Sequence, residues 1–183
     1  MSKWERSLQF FGITYWALQY VGRASYTSGT SMLPTLQGGE IIWLNHLPNS
    51  EEKDKDLRVG DVVVYLIPRL STRTYGLKRV LGLPGDAVFV RDVDYGYWVT
   101  VPRGKVWLQG DNTETSIDSR NFGPVPLSLV ESKAKYLLWP FDREHKVFEP
   151  MVPANLTEVV VGPTKGVRNE QMTTSRSSVD ADR

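Results

Sequence analysis

Seven short runs between residues 40 and 139 are rich in β-branched and aromatic side chains: EIIWLNH (40–46), DVVVYLI (61–67), LKRVLGL (77–83), DAVFVRD (86–92), GYWVTV (96–101), KVWLQG (105–110) and KAKYLLW (133–139). Gly, Pro, Asn or Asp punctuate the gaps between them. Each run is too short for a globular helix, and the spacing predicts a mainly β domain of antiparallel strands. LQGGE, RVGD and LPGD are turn signals placed just before strands. Residues 47–58, LPNSEEKDKDLR, carry many charges and read as a solvated loop, and a helical turn fits near 126–131.

The N-terminus follows a different pattern. From Ser7 to Gly22 the chain has no charge, with Glu5 and Arg6 before it and Arg23 after it. As a helix this stretch is roughly 24 Å long, against about 30 Å of hydrocarbon in a bilayer. Trp16 and Tyr20 suit a membrane interface. A membrane-anchoring helix over residues 1–26 is the expected role, with a soluble core helix and a cleaved signal as the other readings. At the far end the chain reads TKGVRNEQMTTSRSSVDADR from Thr164, polar and aperiodic. Such composition predicts disorder, so the expected organisation is an anchor at 1–26, a β domain at 27–150 and a largely disordered tail at 151–183.

Composition narrows the chemistry. The 183 residues carry a formal net charge of +1, which gives no general attraction for nucleic acid. There is no cysteine, so thiolate nucleophiles, disulfides and cysteine metal sites are excluded. His46 and His145 lie far apart with no metal-ligand spacing beside either, and neither sits in a glycine-framed turn. No metal, cofactor or nucleic acid is expected.

One segment does carry chemistry. Residues 27–35, TSGTSMLPT, crowd small hydroxyl residues into a turn just after the apolar stretch. A serine nucleophile needs a base, and the histidines are poor candidates. Asp86 and Asp111 both follow Gly, but PGDA and QGDN are too unlike to form paired halves of an aspartic dyad. DNTETSIDSRN resembles a calcium loop in acidic spacing and lacks the central Gly. A lysine serves as a base if burial strips its proton near neutral pH. Lys78 lies on an apolar strand, where alternation puts Lys78 and Val80 on one face and Arg79 on the other. This is consistent with Lys78 pointing inward and Arg79 to water; the other reading is a solvated Lys-Arg pair on an edge strand.

Taken in order, SGTSMLPTL, GDVVVYLIP, LKRVLGLPGD and WLQGDNTETSIDSRNFGPVP resemble the type I signal peptidases, membrane-bound Ser/Lys endopeptidases. The resemblance covers roughly Ser28 to Pro140. The short length, without a large inserted second domain, is similar to the mitochondrial inner membrane protease branch; GDN, DSRN and FGPVP lean to subunit 1, WLNH and VPRG to subunit 2, and subunit 1 is preferred. The resemblance implies a signal-peptidase-like antiparallel β fold and a serine endopeptidase that removes sorting peptides from precursors at the intermembrane-space side of the inner membrane. It implies Ser31 as nucleophile and Lys78 as general base, Ser116 as the hydroxyl that orients the lysine, and Asp118 with Arg120 as a bracing salt bridge. Met32 and Pro34 would shape the turn and the substrate site. Where many bacterial members place a second hydroxyl, two residues before the nucleophile, this chain has Gly29. The implied partners are precursor proteins, the other protease subunit as a heterodimer, and the bilayer. A bacterial or plastid signal peptidase, and a non-catalytic subunit that stabilises a partner, are the alternatives.

Overall fold

The computed structural model describes residues 4, 22–47, 53–68, 73–91, 96–141, 148–153, 156 and 159–160. The apolar stretch before Gly22, His145 and the tail from 161 onward lie outside the described residues. Among the described residues no helix is long and apolar enough to cross a membrane.

Every expected strand forms, within a few residues of its expected limits. The strands are β1 (Arg23–Tyr26), β2 (Ile41–His46), β3 (Val62–Leu66), β4 (Tyr75–Gly82), β5 (Ala87–Arg91), β6 (Gly96–Thr100), β7 (Lys105–Gln109), β8 (Val125–Pro126), β9 (Val130–Trp139) and β10 (Val159–Val160). Among the described residues, the single-turn helices α1 (Lys53–Asp56) and α2 (Ser119–Phe122) and a 3-10 turn (Leu127–Leu129) lie between the strands. The large sheet runs β1-β2-β9-β3-β4-β7-β8 and the small one β10-β5-β6, with every pairing antiparallel. Bulges at Ile41/Ile42, Trp43/Leu44, Val64/Tyr65 and Val80/Gly82 bend the strands that carry them.

The run VVVYL in β3 explains the architecture. Val62 and Val64 join Met32, Leu36, Ile42, Leu44 and Leu137 on one face, while Val63 and Tyr65 join Val80, Leu108 and Val130 on the other. A strand covered on both faces reads as continuous apolar sequence rather than alternation. A third cluster, with Leu81, Val88, Val101, Trp107 and Leu156, packs residues of the small sheet against β4 and β7. Burying each such side chain contributes about 1.5–3 kcal/mol relative to leaving it in water.

The expected boundaries move in three places. Strand β1 occupies Arg23–Tyr26, inside the span assigned to the anchor. The ordered body continues past 150: Leu156 is buried and Val159 pairs with Val88 of β5. The charged stretch 47–58 is not wholly solvated, because Leu57 is buried and Lys53, also buried, donates to the Val130 carbonyl at 2.6 Å. For the site, the decisive feature is β4. It pairs with β3 from Tyr75 to Arg79 but with β7 only from Arg79 to Gly82. Over 75–78 its second edge carries no strand among the described residues, and the β1–β2 connection lies beside it.

Candidate active site

The β1–β2 connection is closed at its neck and tightly folded inside. Thr27 and Glu40 pair through the Thr27 amide (2.8 Å), and the Thr27 hydroxyl bridges the Gln37 and Glu40 carbonyls at 2.8 and 3.0 Å. Within the loop the Leu33 amide donates to the Thr30 carbonyl and the Leu36 amide to the Met32 carbonyl. Met32 and Leu36 sink into the core on one side of this turn. From the other side Asn112 grips its backbone: the Asn112 amide donates to Ser31 O at 3.1 Å and Nδ2 to Thr30 O at 3.2 Å. Ser31 is thereby held facing the open edge of β4.

Lys78 reaches it from β4. Its Nζ lies 2.7 Å from Ser31 Oγ in hydrogen-bond contact, and the lysine is 6% exposed. Burial pushes the Lys78 ammonium below its ordinary value of 10.5; Asp118 opposes this, Arg120 adds to it and Asp111 opposes it. An amine so placed loses its proton more readily than a surface lysine and has one hydroxyl to act on. The Ser31 amide donates to no acceptor among the described residues, so it is free to serve an oxyanion. Gly29 adopts a φ of +87°, a conformation that favours glycine over serine.

Asp118 organises the wall behind the lysine. It is fully buried, its Oδ1 accepts Arg120 Nε at 2.9 Å, and its Oδ2 accepts the Gly110 amide and Arg120 Nη2, each at 3.0 Å. It also caps α2, with Asn121 closing the reciprocal bond of a capping box. The expected Asp118–Arg120 ion pair is therefore present.

Three expectations need correction. Arg79 does not point to water: it is 4% exposed and bonds Asp111 through Nε at 2.7 Å and Nη2 at 2.6 Å. Alternation does send it to the other face from Lys78, but both faces of β4 are covered there. Ser116 does not bond Lys78: its Oγ is buried with no hydrogen-bond partner among the described residues, against Gly110 and near the Ser31 carbonyl. Pro34 is exposed on the outer side of the turn and does not line the groove described next. Sequence reasoning also missed Asn112 and the Arg79–Asp111 pair. Asp111 and Asn112 sit together in QGDN, and a short motif says nothing of which distant side chains it will meet.

A groove of about 270 Å³ runs past Ser31 and Lys78. Ser25 to Gly29 form one wall and Tyr75 to Lys78 the other, over an apolar floor of Met32, Leu36, Ile42, Val64 and Leu77. Met32 thus lines the groove as expected, while also belonging to the core.

A buried amine on a strand edge, touching a serine in a clamped turn beside a peptide-sized groove, is an arrangement suited to acyl transfer. The chain belongs to the family described as "Signal peptidase, peptidase S26", which it matches over residues 3–95 and 90–139. Within that family it is similar to the mitochondrial inner membrane protease subunit 1 of Schizosaccharomyces pombe, 41% identical over 123 residues that make up 67% of this chain and 76% of the relative. It is 44% identical over 127 residues to the mitochondrial ATP-independent inner membrane protease subunit 1a of Arabidopsis thaliana, covering 67% and 73% of the two chains. It is 34% identical over 142 residues to the mitochondrial inner membrane protease subunit 2 of Danio rerio, covering 74% and 72%. A crystal structure of signal peptidase I from Enterococcus faecalis V583 aligns with a TM-score of 0.37 at 25% identity, over 42% of this chain and 95% of that one.

Proposed function

We propose that this protein is a membrane-anchored serine endopeptidase that removes sorting peptides from precursors delivered to the mitochondrial intermembrane space, with Ser31 as nucleophile and Lys78 as general base. The observation that carries the reading is the 2.7 Å contact between Lys78 Nζ and Ser31 Oγ in a buried setting. The neutral amine takes the Ser31 proton as Oγ attacks the scissile carbonyl carbon. The Ser31 amide stabilises the oxyanion. The ammonium then returns the proton to the departing amine, leaving an acyl-serine. Water, deprotonated by the regenerated amine, hydrolyses that ester and frees Ser31.

The groove supports a peptide substrate. An extended chain fits between the Ser25–Gly29 wall and the open edge of β4, hydrogen-bonded as an added strand, with the Met32 floor taking small side chains. The residues before Gly22 would hold the enzyme in the plane of the bilayer beside its precursors, raising effective concentration. The names of the similar proteins support the inner membrane as location and the other protease subunit as a heterodimer partner. Ser116 would orient Lys78 once substrate fills the groove, and Asp118 with Arg120 would brace the loop. The test is cleavage of imported precursors by purified protein, with and without the partner subunit. Failure to cut any precursor under both conditions would remove the assignment.

A further inference from the structure

We infer that the segment Phe148–Met151, which follows β9, is a strap that positions the Ser31–Lys78 pair, acting through Arg79. The inference rests on the function proposed above and concerns residues beyond the family match, which ends at 139.

Arg79 is the residue after Lys78, and all five of its N–H donors are used. Nε and one Nη2 donor go to Asp111, and the other Nη2 donor reaches Thr35 Oγ1 at 3.4 Å. The Nη1 donors go to Gly60 O at 2.7 Å and Met151 O at 2.8 Å. One guanidinium therefore ties together the base's strand, the nucleophile's turn through Thr35, the loop that grips Ser31 through Asn112, and the strap. Remove the Met151 carbonyl and one buried donor is orphaned, while water gains a path to the Arg79–Asp111 pair.

The strap is built to reach that carbonyl. Phe148 is buried in the same cluster as Met32, and its amide donates to Lys135 O at 2.9 Å. Gly60 lets the strap lie flat, since a Cβ there would stand 2.5 Å from Met151 N and 2.7 Å from Pro150 C. The Met151 side chain, by contrast, is 71% exposed, so the backbone and not the side chain makes the link.

The test is a double-mutant cycle on the full-length chain, reading kcat and KM for a precursor peptide and, independently, solvent exchange of the Arg79 guanidinium protons by NMR. Pro150→Gly, which loosens the strap without touching the core, should lower kcat at least about ten-fold with KM little changed, because it misplaces reacting groups rather than the groove. It should also speed Arg79 proton exchange. In an Arg79→Lys background the same change should cost little more. Gly60→Ala, whose Cβ would push against the strap but which also strains its own backbone at φ +99° and moves a carbonyl that Arg79 bonds, should act in the same direction. Additive losses in the cycle, unaltered Arg79 exchange, or reduced thermal stability with full kcat would overturn the strap. Faster exchange in a protein whose wild type cleaves no precursor would instead sink the proposed function and leave the coupling standing.

Discussion

Arg79 and Asp111 form a two-bonded ion pair at 2.7 and 2.6 Å, with side chains 5% and 0% exposed, one position along the strand from Lys78. Breaking a buried pair strands one charge, so Asp111→Ala should cost about 3–5 kcal/mol of stability. Removing the Arg23–Glu131 pair, 3.7 Å apart with side chains 47% and 39% exposed, should cost no more than about 1 kcal/mol. Urea unfolding of both variants checks the contrast, and similar losses in the two would contradict it.

Asp118 should behave as structure rather than chemistry. It caps α2, holds the Gly110 amide and pairs with Arg120. Asp118→Asn keeps some of these bonds but loses the charge that strengthens them, with an expected cost of about 2–3 kcal/mol. Total activity should fall in step with the folded fraction while kcat per folded site changes little, measured by active-site-normalised kinetics beside the melting temperature. An inactive variant of normal stability would show that the carboxylate does more than brace the loop.

The Ser31 turn, the strand of Lys78 and most of the sheet are legible in the sequence, because each is written locally. The apolar runs and turn residues specify strands, while the neighbours Leu77, Val80 and Leu81 leave both an inward Lys78 and a solvated Lys-Arg pair open, and only the resemblance to the signal peptidases singles Lys78 out. What stayed hidden depends on meetings between distant segments. Arg79 was read as solvent-facing because alternation reports the face and not what covers it. Asp111 and Asn112 carry no local sign of the partners they meet where the loop after β7 rests against Ser31 and Arg79. Residues 151–160 looked like tail, since Met151 contributes a carbonyl and not a side chain, and the two residues of β10 are too few to show a period.

Ser116 offers a way to separate positioning from stability. Its Oγ is buried with no hydrogen-bond partner among the described residues, so Ser116→Ala removes an unsatisfied group and should leave stability unchanged or slightly raised. If the hydroxyl turns to Lys78 when substrate binds, kcat should nevertheless drop about 10- to 100-fold. Calorimetry beside steady-state kinetics gives both numbers, and unchanged kcat would deny the hydroxyl any part in catalysis.

Burial lowers the Lys78 pKa from 10.5, and the sign of its pH effect follows. Between the folded value and 10.5 the unfolded chain holds a proton that the folded chain lacks, so stability rises with pH across that window and levels off above it. Lys78→Met removes this dependence. Its stability relative to wild type should be greatest at neutral pH and shrink as pH climbs towards 10.5. Unfolding curves at several pH values test this, and a constant gap would mean that Lys78 titrates as an ordinary surface lysine.

The most direct test is single-site replacement of the two contacting groups in the full-length protein, assayed on a precursor that the wild type cuts, with circular dichroism to confirm folding. Ser31→Ala and Lys78→Met should each reduce cleavage by at least about 1,000-fold while the β signature is retained. Cleavage near the wild-type rate in either folded variant would contradict the Ser31–Lys78 mechanism.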